Sequence, residues 1–168
     1  ICSWLDDHSR YLLGCTAFGD VDGDDVVATF TAAADQHGWP AATLTDNGSV
    51  YTSRFTGGRN GFEYLLAYLG IRQKNGNPGH PQTQGKVERF HRTLKLWLGR
   101  RPAPRDLAAL QAQLDEFRVA YDEQRPHRAV GRRTPGEAYR AIPKARPAGP
   151  VPRATSASAT TPPTAVAP

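Results

Sequence analysis

The chain has 168 residues and a net charge of +5, with 21 Lys and Arg against 16 Asp and Glu. That length favours a single domain, and neither a bilayer-length apolar run nor a signal peptide is visible, so we expect no membrane partner. Two cysteines, Cys2 and Cys15, are too few for a disulfide scaffold or a cysteine-based zinc site.

The first predicted element is a hairpin. Residues 1–6 and 10–18 are rich in strand formers and flank the turn residues Asp7-His8-Ser9, so they are predicted to pair antiparallel. If the turn centres on its last two residues, Cys2 lies opposite Cys15. We do not expect a disulfide there, because a cytosolic chain keeps its thiols reduced.

The remaining elements alternate between helix and strand. Apolar periodicity, acidic first turns and glycine stops predict, in chain order, a helix over 24–37, a strand over 41–45, a helix over 62–70, a strand over 71–74, helices over 84–98 and 106–121, and a short helix after Thr134. Residues 75–82 are dense in turn formers and are predicted to form an irregular, mobile loop. This order predicts an α/β fold in which a mixed sheet is flanked by helices.

The end of the chain differs in composition from the rest. From residue 142 onward there are seven prolines in 27 residues and no aromatic side chain. Such a segment cannot bury enough apolar surface to offset the entropy lost on ordering. We therefore expect one domain over residues 1–141 and a disordered, Pro- and Ala-rich tail over residues 142–168.

Charge is unevenly distributed along the chain. Residues 1–45 carry seven acids and one base, whereas residues 72–105 carry nine bases and one acid. The second stretch suits a phosphate backbone, since Lys and Arg gain affinity by displacing condensed counterions. A solvated basic face explains the charge alone equally well. The single acid within the basic stretch is Glu88, which indicates either an ion pair or a metal ligand beside a polyanion.

Asp46 follows a predicted strand and precedes Asn-Gly. Ligands of open α/β sheets bind at the carboxyl ends of strands, which makes Asp46 a candidate site residue. The alternative is an aspartate whose only role is to accept backbone hydrogen bonds within the turn.

Glu88 lies on a predicted amphipathic helix. The apolar side of that helix is predicted to consist of Val87, Phe90, Leu94, Trp97 and Leu98. Glu88, Arg92 and Lys95 fall on the opposite flank, within about 60° of one another. Glu88 therefore either forms an ion pair with Arg92 or binds Mg²⁺ while its cationic neighbours hold a nucleic acid.

Four strings carry a resemblance to a known family. They read WLDDHSRYLLG (4–14), LTDNGSVYTS (44–53), GHPQTQGKVERFHRTLK (79–95) and RPHRAVGRRTP (125–135). Together, over residues 1–141, they resemble the catalytic core of the DDE transposase and retroviral integrase superfamily, in particular bacterial insertion-sequence transposases. The resemblance implies a ribonuclease H-like fold and a triad of carboxylates that holds two divalent ions, Mg²⁺ or Mn²⁺.

The resemblance also implies roles for individual residues. Asp46 matches the second aspartate of the triad and Glu88 its glutamate, so both are expected to be catalytic metal ligands. The positions at which integrases touch DNA near the scissile phosphate are matched by Gln84, Lys86, His91, Arg92 and Lys95. The implied activity is metal-dependent phosphodiester cleavage and strand transfer during DNA transposition, in the bacterial cytoplasm, on transposon ends and target DNA held by a homodimer or higher multimer.

One part of the family pattern has no match. The first triad aspartate of the family lies on the strand before the one that ends in DDHSR, and Asp6 and Asp7 match the later position. The sequence contains no Met, and we expect it to be the downstream part of a longer protein that lacks the first, central strand with its carboxylate. Two hypotheses stay open: the catalytic core of a strand-transferring enzyme, and a catalytically inactive transposase remnant that only binds DNA through its basic stretch.

The segment Arg125-Pro126-His127 also has two interpretations. It either contacts DNA or anchors the chain after the long helix that precedes it. We favour the structural anchor.

Overall fold

The computed structural model describes residues 1–53, 57–76 and 81–149, without the side chains of residues 81–84. Its strands and α-helices are, in chain order, β1 (Cys2–Leu5), β2 (Leu12–Thr16), α1 (Gly23–His37), β3 (Ala42–Thr45), α2 (Gly61–Tyr68), β4 (Arg72–Asn75), α3 (Pro81–Leu98), α4 (Leu107–Val119) and α5 (Pro135–Arg140). A π-helical turn (Ala120–Gln124) continues α4, and a 3₁₀ turn (Arg128–Val130) precedes α5. The predicted helices and strands are all present in the predicted order.

The boundaries differ from the prediction around α3. This helix begins at Pro81 rather than at residue 84, and proline is well suited to the first turn of a helix. Residues 75, 81 and 82 of the predicted loop therefore belong to β4 and α3, and residues 77–80, with the mobility predicted for them, lie outside the described part of the chain. Residues 150–168, most of the predicted tail, also lie outside it, so the domain boundary at residue 142 stays a prediction.

The strands form two separate pairs within the described residues. Strands β1 and β2 are antiparallel, as predicted for the hairpin, and β3 and β4 are parallel. An irregularity between Trp4 and Leu5 shifts the register of the hairpin, so that Cys15 lies opposite Ser3 and not opposite Cys2. Both cysteines are buried free thiols.

The two sides of the hairpin are covered differently. On the β2 side, Asp122 Oδ1 accepts a hydrogen bond from the backbone N–H of Leu12 at 2.9 Å. The amide of Gln111 accepts from the N–H of Ala17 at 2.9 Å and donates to the C=O of Cys15 at 3.0 Å. Side chains of α4 and of the π turn thus replace a neighbouring strand. In the described part of the chain, neither β1 nor β3 has a second strand neighbour.

Two apolar clusters hold the helices against these strands. The first joins β2 to α3, α4 and the π turn through Leu12, Cys15, Phe90, Leu94, Leu114, Phe117 and Tyr121. The second joins α1 to α2 and the start of β4 through Val26, Phe30, Phe62, Leu66, Leu69 and Ile71. The partly buried Trp4 connects β1 to the second cluster, with its ring centroid 5.0 Å from that of Phe30. The first cluster fixes which face of α3 points outward.

The buried face of α3 is shorter than predicted. Phe90 and Leu94 are buried and Trp97 and Leu98 are partly buried, but Val87 is 41% exposed. The apolar period of the sequence identifies one face of the helix, but Val87 lies outside the apolar cluster that buries the later turns of that face. No helix in the described ranges is both long enough and apolar enough to span a bilayer.

Candidate functional site

Asp46 is exposed and follows the last residue of β3. Its Oδ1 accepts a hydrogen bond from the backbone N–H of Gly48 at 2.8 Å, which is the turn interaction considered as the alternative role. An ideal Cβ on Gly48 would lie 2.9 Å from the same Oδ1. The glycine therefore leaves room for the carboxylate to stay at the end of the strand.

Asn47 connects this turn to the neighbouring strand. Its Nδ2 donates to the C=O of Gly76 at 2.9 Å, and the N–H of Gly76 donates to the C=O of Thr45 at 3.0 Å. These bonds fix the ends of β3 and β4 side by side, where the chain leaves toward α3. In the sequence, Asn47 belongs to an Asn-Gly pair, which is typical of a turn. The tertiary bond from its side chain had no signal in the sequence.

Glu63, in the first turn of α2, anchors the segment after β3. Its Oε1 accepts from Thr52 Oγ1 at 2.8 Å, and its Oε2 accepts from Ser53 Oγ at 2.6 Å and from the Asn60 N–H at 3.0 Å. Burial alone would raise the pKa of Glu63, but these hydrogen bonds outweigh it and lower the pKa to about 2. Glu63 is thus an ionised structural residue that holds the string LTDNGSVYTS in place.

The outward face of α3 carries the charged residues singled out in the sequence. Glu88, His91, Arg92 and Lys95, together with Leu96, line an open cavity of about 520 Å³. Their spacing along the helix places them on one face, as the helical period predicts. Among ion pairs within the described residues, none involves Glu88 or Arg92, so the predicted alternative of a Glu88–Arg92 pair is not formed.

The surroundings of His91 favour its neutral form. Desolvation by its neighbours, and next the charge of Lys95, lower the pKa of His91 below its ordinary value of 6.5. The ring can therefore accept or donate one hydrogen bond at the cavity without adding a positive charge.

The remaining DNA-binding candidates lie elsewhere. Lys86 is on the other flank of α3, where its Nζ is 2.7 Å from Oδ1 of Asp7 in an exposed ion pair. Gln84 belongs to the first turns of α3, and its side chain lies outside the described part.

The described residues do not place Asp46 at the cavity that Glu88 lines. Asp46 is absent from the described lining of the cavity at Glu88. Within residues 1–53, 57–76 and 81–149, no group of three or more His, Cys, Asp and Glu side chains is placed to hold a metal ion. A shared metal site for Asp46 and Glu88 therefore stays a prediction.

The chain is similar to known transposases. The putative transposase InsD for insertion element IS2E of Escherichia coli K12 is 33% identical over 102 residues, which are 60% of this chain and 44% of that protein. The transposase InsD for insertion element IS2A/D/F/H/I/K of Escherichia coli is equally identical over 60% of this chain and 32% of its own length. The chain thus spans less than half the length of these curated relatives.

The chain is also similar in fold to solved structures, two of which are integrase catalytic cores. The HTLV-2 integrase catalytic core domain in complex with magnesium, in its trimeric form, matches with a TM-score of 0.62 and 16% identity over 82% of both chains. The catalytic core domain of BIV integrase matches with a TM-score of 0.60 and 25% identity over 82% of both chains. A chain of the simian T-cell lymphotropic virus intasome in complex with PP2A regulatory subunit B56 gamma matches with a TM-score of 0.66 and 20% identity, over 95% of this chain and 53% of that one. The predicted ribonuclease H-like α/β fold is confirmed.

Family models agree with these matches. Two models, both described as integrase core domain, match residues 1–81 and residues 69–135. Together they extend without a gap from the hairpin to the first residue of α5. The chain therefore belongs to the integrase core family of transposases and retroviral integrases.

Proposed function

We propose that this chain provides the catalytic core of a bacterial DNA transposase, which cleaves phosphodiester bonds and transfers DNA strands. The observation that supports this most is the outward face of α3, where the exposed carboxylate of Glu88 has no ion-pair partner among the described residues and is flanked by Arg92 and Lys95. A carboxylate that is surrounded by cations but not paired with them is well placed to bind a metal ion, while the cations bind the phosphates of DNA.

The donor chemistry fits a divalent cation. Asp46 and Glu88 offer exposed carboxylate oxygens, the ligands that Mg²⁺ and Mn²⁺ prefer. We infer that both residues are catalytic ligands of two such ions. When bound, the ions supply Lewis-acid stabilisation of the attacking and leaving oxygens of an in-line displacement.

A further carboxylate has a place to enter the fold. The strands β1 and β3 each have one strand neighbour among the described residues, so each offers a free edge to an extended segment. We infer that a strand from elsewhere in the protein pairs there and brings a third acid to Asp46 and Glu88.

The remaining side chains of the site bind and orient DNA. Arg92 and Lys95 hold backbone phosphates beside the scissile bond, and neutral His91 donates or accepts a hydrogen bond without repelling a cation. Gln84 extends this contact at the start of α3, and Lys86 reaches phosphates once its pair with Asp7 opens. We infer that the DNA partners are transposon ends and target, bound by a homodimer or higher multimer in the bacterial cytoplasm.

The proposal can be tested on metal binding and on cleavage separately. The full chain is titrated with Mn²⁺, with the free ion followed by electron paramagnetic resonance, and is then incubated with a labelled duplex and Mn²⁺ or Mg²⁺. Asp46→Asn and Glu88→Gln should each weaken Mn²⁺ binding by about tenfold or more, because each removes a charged oxygen ligand. If the unmodified chain nicks the duplex, both variants should lose this activity.

Asp35→Asn provides the matched control. Asp35 is an exposed aspartate of α1, so this change alters charge equally without touching the site. If Asp46→Asn and Glu88→Gln bind Mn²⁺ as Asp35→Asn does, the two residues are not metal ligands and the proposed chemistry fails.

A further inference from the structure

A second cavity lies on the other flank of α3. It has a volume of about 280 Å³ and is lined on α3 by Gly85, Lys86, Arg89, Phe90 and Thr93, and from other elements by Arg10, Tyr121, His127 and Ala129. None of these residues lines the cavity at Glu88. The buried rings of Phe90 and Tyr121 form an apolar base, and the polar groups around it are mainly cationic.

Arg10 is held toward this cavity by a strained turn. Its φ is +69°, a conformation that non-glycine residues adopt rarely and at a cost. The turn is fixed by bonds from the Arg10 N–H to the C=O of Asp6 at 2.9 Å and from the Ser9 Oγ to Asp6 Oδ2 at 2.6 Å. These bonds fix the backbone at Arg10, whose side chain lines the cavity.

His127 faces the same cations, and among the described residues its ring forms a hydrogen bond only through Nδ1. Its Nδ1 accepts a hydrogen bond from the N–H of Ala129 at 3.3 Å, which places the proton of the neutral ring on Nε2. Burial, and then the charges of Arg125, Arg10 and Arg89, lower the pKa of His127, so the ring stays neutral. The predicted anchor role is compatible with this contact, because the Nδ1 bond fixes the turn while Nε2 remains available.

The positive charge here is not neutralised by the protein. Within the described residues, Arg10, Arg89 and Arg125 form no ion pair with a carboxylate. Lys86 differs, since it is paired with Asp7 at 2.7 Å and is therefore not counted among the unpaired cations of this cavity. The charges of Arg10 and Arg89, which line the cavity, and of nearby Arg125 all act on His127, and an anion bound between the cations would reduce their mutual repulsion.

We propose that Arg10, Arg89 and His127 form a second phosphate-binding site, which takes a backbone phosphate of DNA. This inference rests on the proposed function, since it assigns the same DNA to a second surface. The cavity is smaller than those that usually enclose a drug-sized ligand, and its open, cationic wall suits a phosphodiester better than an apolar molecule.

The two sites can bind one DNA molecule. On an α-helix, residues three apart differ by about 60° in direction, so Arg89 and Arg92 are neighbours on the exposed surface of α3. Arg92 lines the cavity at Glu88 and Arg89 lines the second one. A DNA strand that crosses α3 between these arginines contacts both cavities. The two contacts together fix the direction in which the duplex crosses the helix.

The test compares DNA affinity in variants that keep the fold. Binding of a short fluorescein-labelled duplex to the full chain is measured by fluorescence anisotropy between about 50 and 200 mM salt. The double variant Arg10→Gln/Arg89→Gln should weaken binding by about fivefold or more and lower the salt slope by about two units. Glutamine is shorter than arginine but retains its Cβ and unbranched start, so the backbone strain at Arg10 should be unchanged, and circular dichroism verifies folding.

Two comparison variants separate the possible outcomes. Arg72→Gln, at an exposed position of β4 that lines neither cavity, should change affinity little. If the Arg10/Arg89 variant behaves like Arg72→Gln while Arg92→Gln/Lys95→Gln loses affinity, the second site is wrong and the proposed function stands. If the unmodified chain does not bind the duplex at all, the proposed function fails together with this inference.

A further measurement distinguishes binding of DNA from binding of free phosphate. The C2 proton signal of His127 is followed by NMR while the duplex or inorganic phosphate is added. A shift with the duplex at concentrations where inorganic phosphate has no effect supports the proposal. A site for free phosphate only would shift with inorganic phosphate and leave DNA affinity unchanged in Arg10→Gln/Arg89→Gln, which overturns it.

Discussion

The carboxylate of Asp122 accepts the backbone N–H of Leu12 at 2.9 Å, across 110 positions of the sequence. Asp122 is 2% exposed, and its Oδ2 has no hydrogen-bond partner among the described residues. Burial raises the pKa of Asp122 to about 7, against the lowering effect of the Leu12 bond. The residue that covers the edge of β2 is therefore also a buried group that titrates near neutral pH.

Asp122 makes stability fall as pH rises. The pKa of Asp122 is higher in the folded chain than in the unfolded one. Its contribution to the free energy of unfolding is therefore complete below about pH 4 and is lost as the pH rises through about 7. Between about pH 5 and 8, the free energy of unfolding should decrease in the unmodified chain by about 1 to 3 kcal/mol more than in Asp122→Asn. Urea denaturation of both proteins at the two pH values measures this difference. Equal pH dependence in the two proteins would mean that Asp122 is ionised normally, and the exposed Asp35→Asn serves as the control.

Glu63 has the opposite pH dependence. Its pKa of about 2 lies below the ordinary value of 4.5, so its contribution is present above about pH 4.5 and is lost as the pH falls toward 2. Glu63→Gln should lower the free energy of unfolding at neutral pH by about 1 kcal/mol, because the bonds from Ser53 and Asn60 lose their charged acceptor and the group is half-exposed. The difference from the unmodified chain should shrink in acid. Glu116→Gln, which removes only an exposed ion pair with Arg101, should show no such convergence.

The fold was predictable because its signals are local. Periodicity and capping residues identified each helix, and three helix starts have the reciprocal bonds of a capping box, including Asp22 with Asp25. The hairpin register was not predictable, since the irregularity after Trp4 depends on packing across the sheet. The burial of Asp122 was not visible either, because a polar residue gives no sign of the π turn that directs it inward.

In the candidate site, too, the features with local sequence signals were predictable and those that depend on distant residues were not. The helical period placed Glu88, Arg92 and Lys95 on one face, and the structure has that face exposed and lined by these residues. The ion pair between Lys86 and Asp7 was not predictable, because it joins residues far apart in the sequence and no local pattern at either residue indicates it. The convergence of Asp46 and Glu88 comes only from the resemblance and stays a prediction.

Two truncations test where the folded domain ends. Composition alone predicts that removing residues 142–168 has no effect on the Tm. However, the Lys144 Nζ lies 4.0 Å from the ring centroid of Tyr139, and a Cβ on Gly70 would lie 2.7 Å from the backbone N of Gly149. We expect removal of residues 150–168 to leave the Tm unchanged and removal of residues 142–168 to lower it by a few degrees. An unchanged Tm in both would place the boundary at residue 142, as the composition predicts.

The orientation of the Asp46 carboxylate can be changed without replacing it. In Gly48→Ala the new Cβ would lie 2.9 Å from Asp46 Oδ1, closer than such atoms approach in proteins, and the carboxylate is the freer of the two groups. We expect it to turn away, which should weaken Mn²⁺ binding and slow any cleavage by about tenfold or more. The Tm should change little, since Asp46 is exposed. Gly19→Ala is the matched control, because a Cβ there meets nothing within 4 Å. If both variants bind Mn²⁺ equally well, the turn at Gly48 does not position a ligand, and the role assigned to Asp46 loses its geometric support.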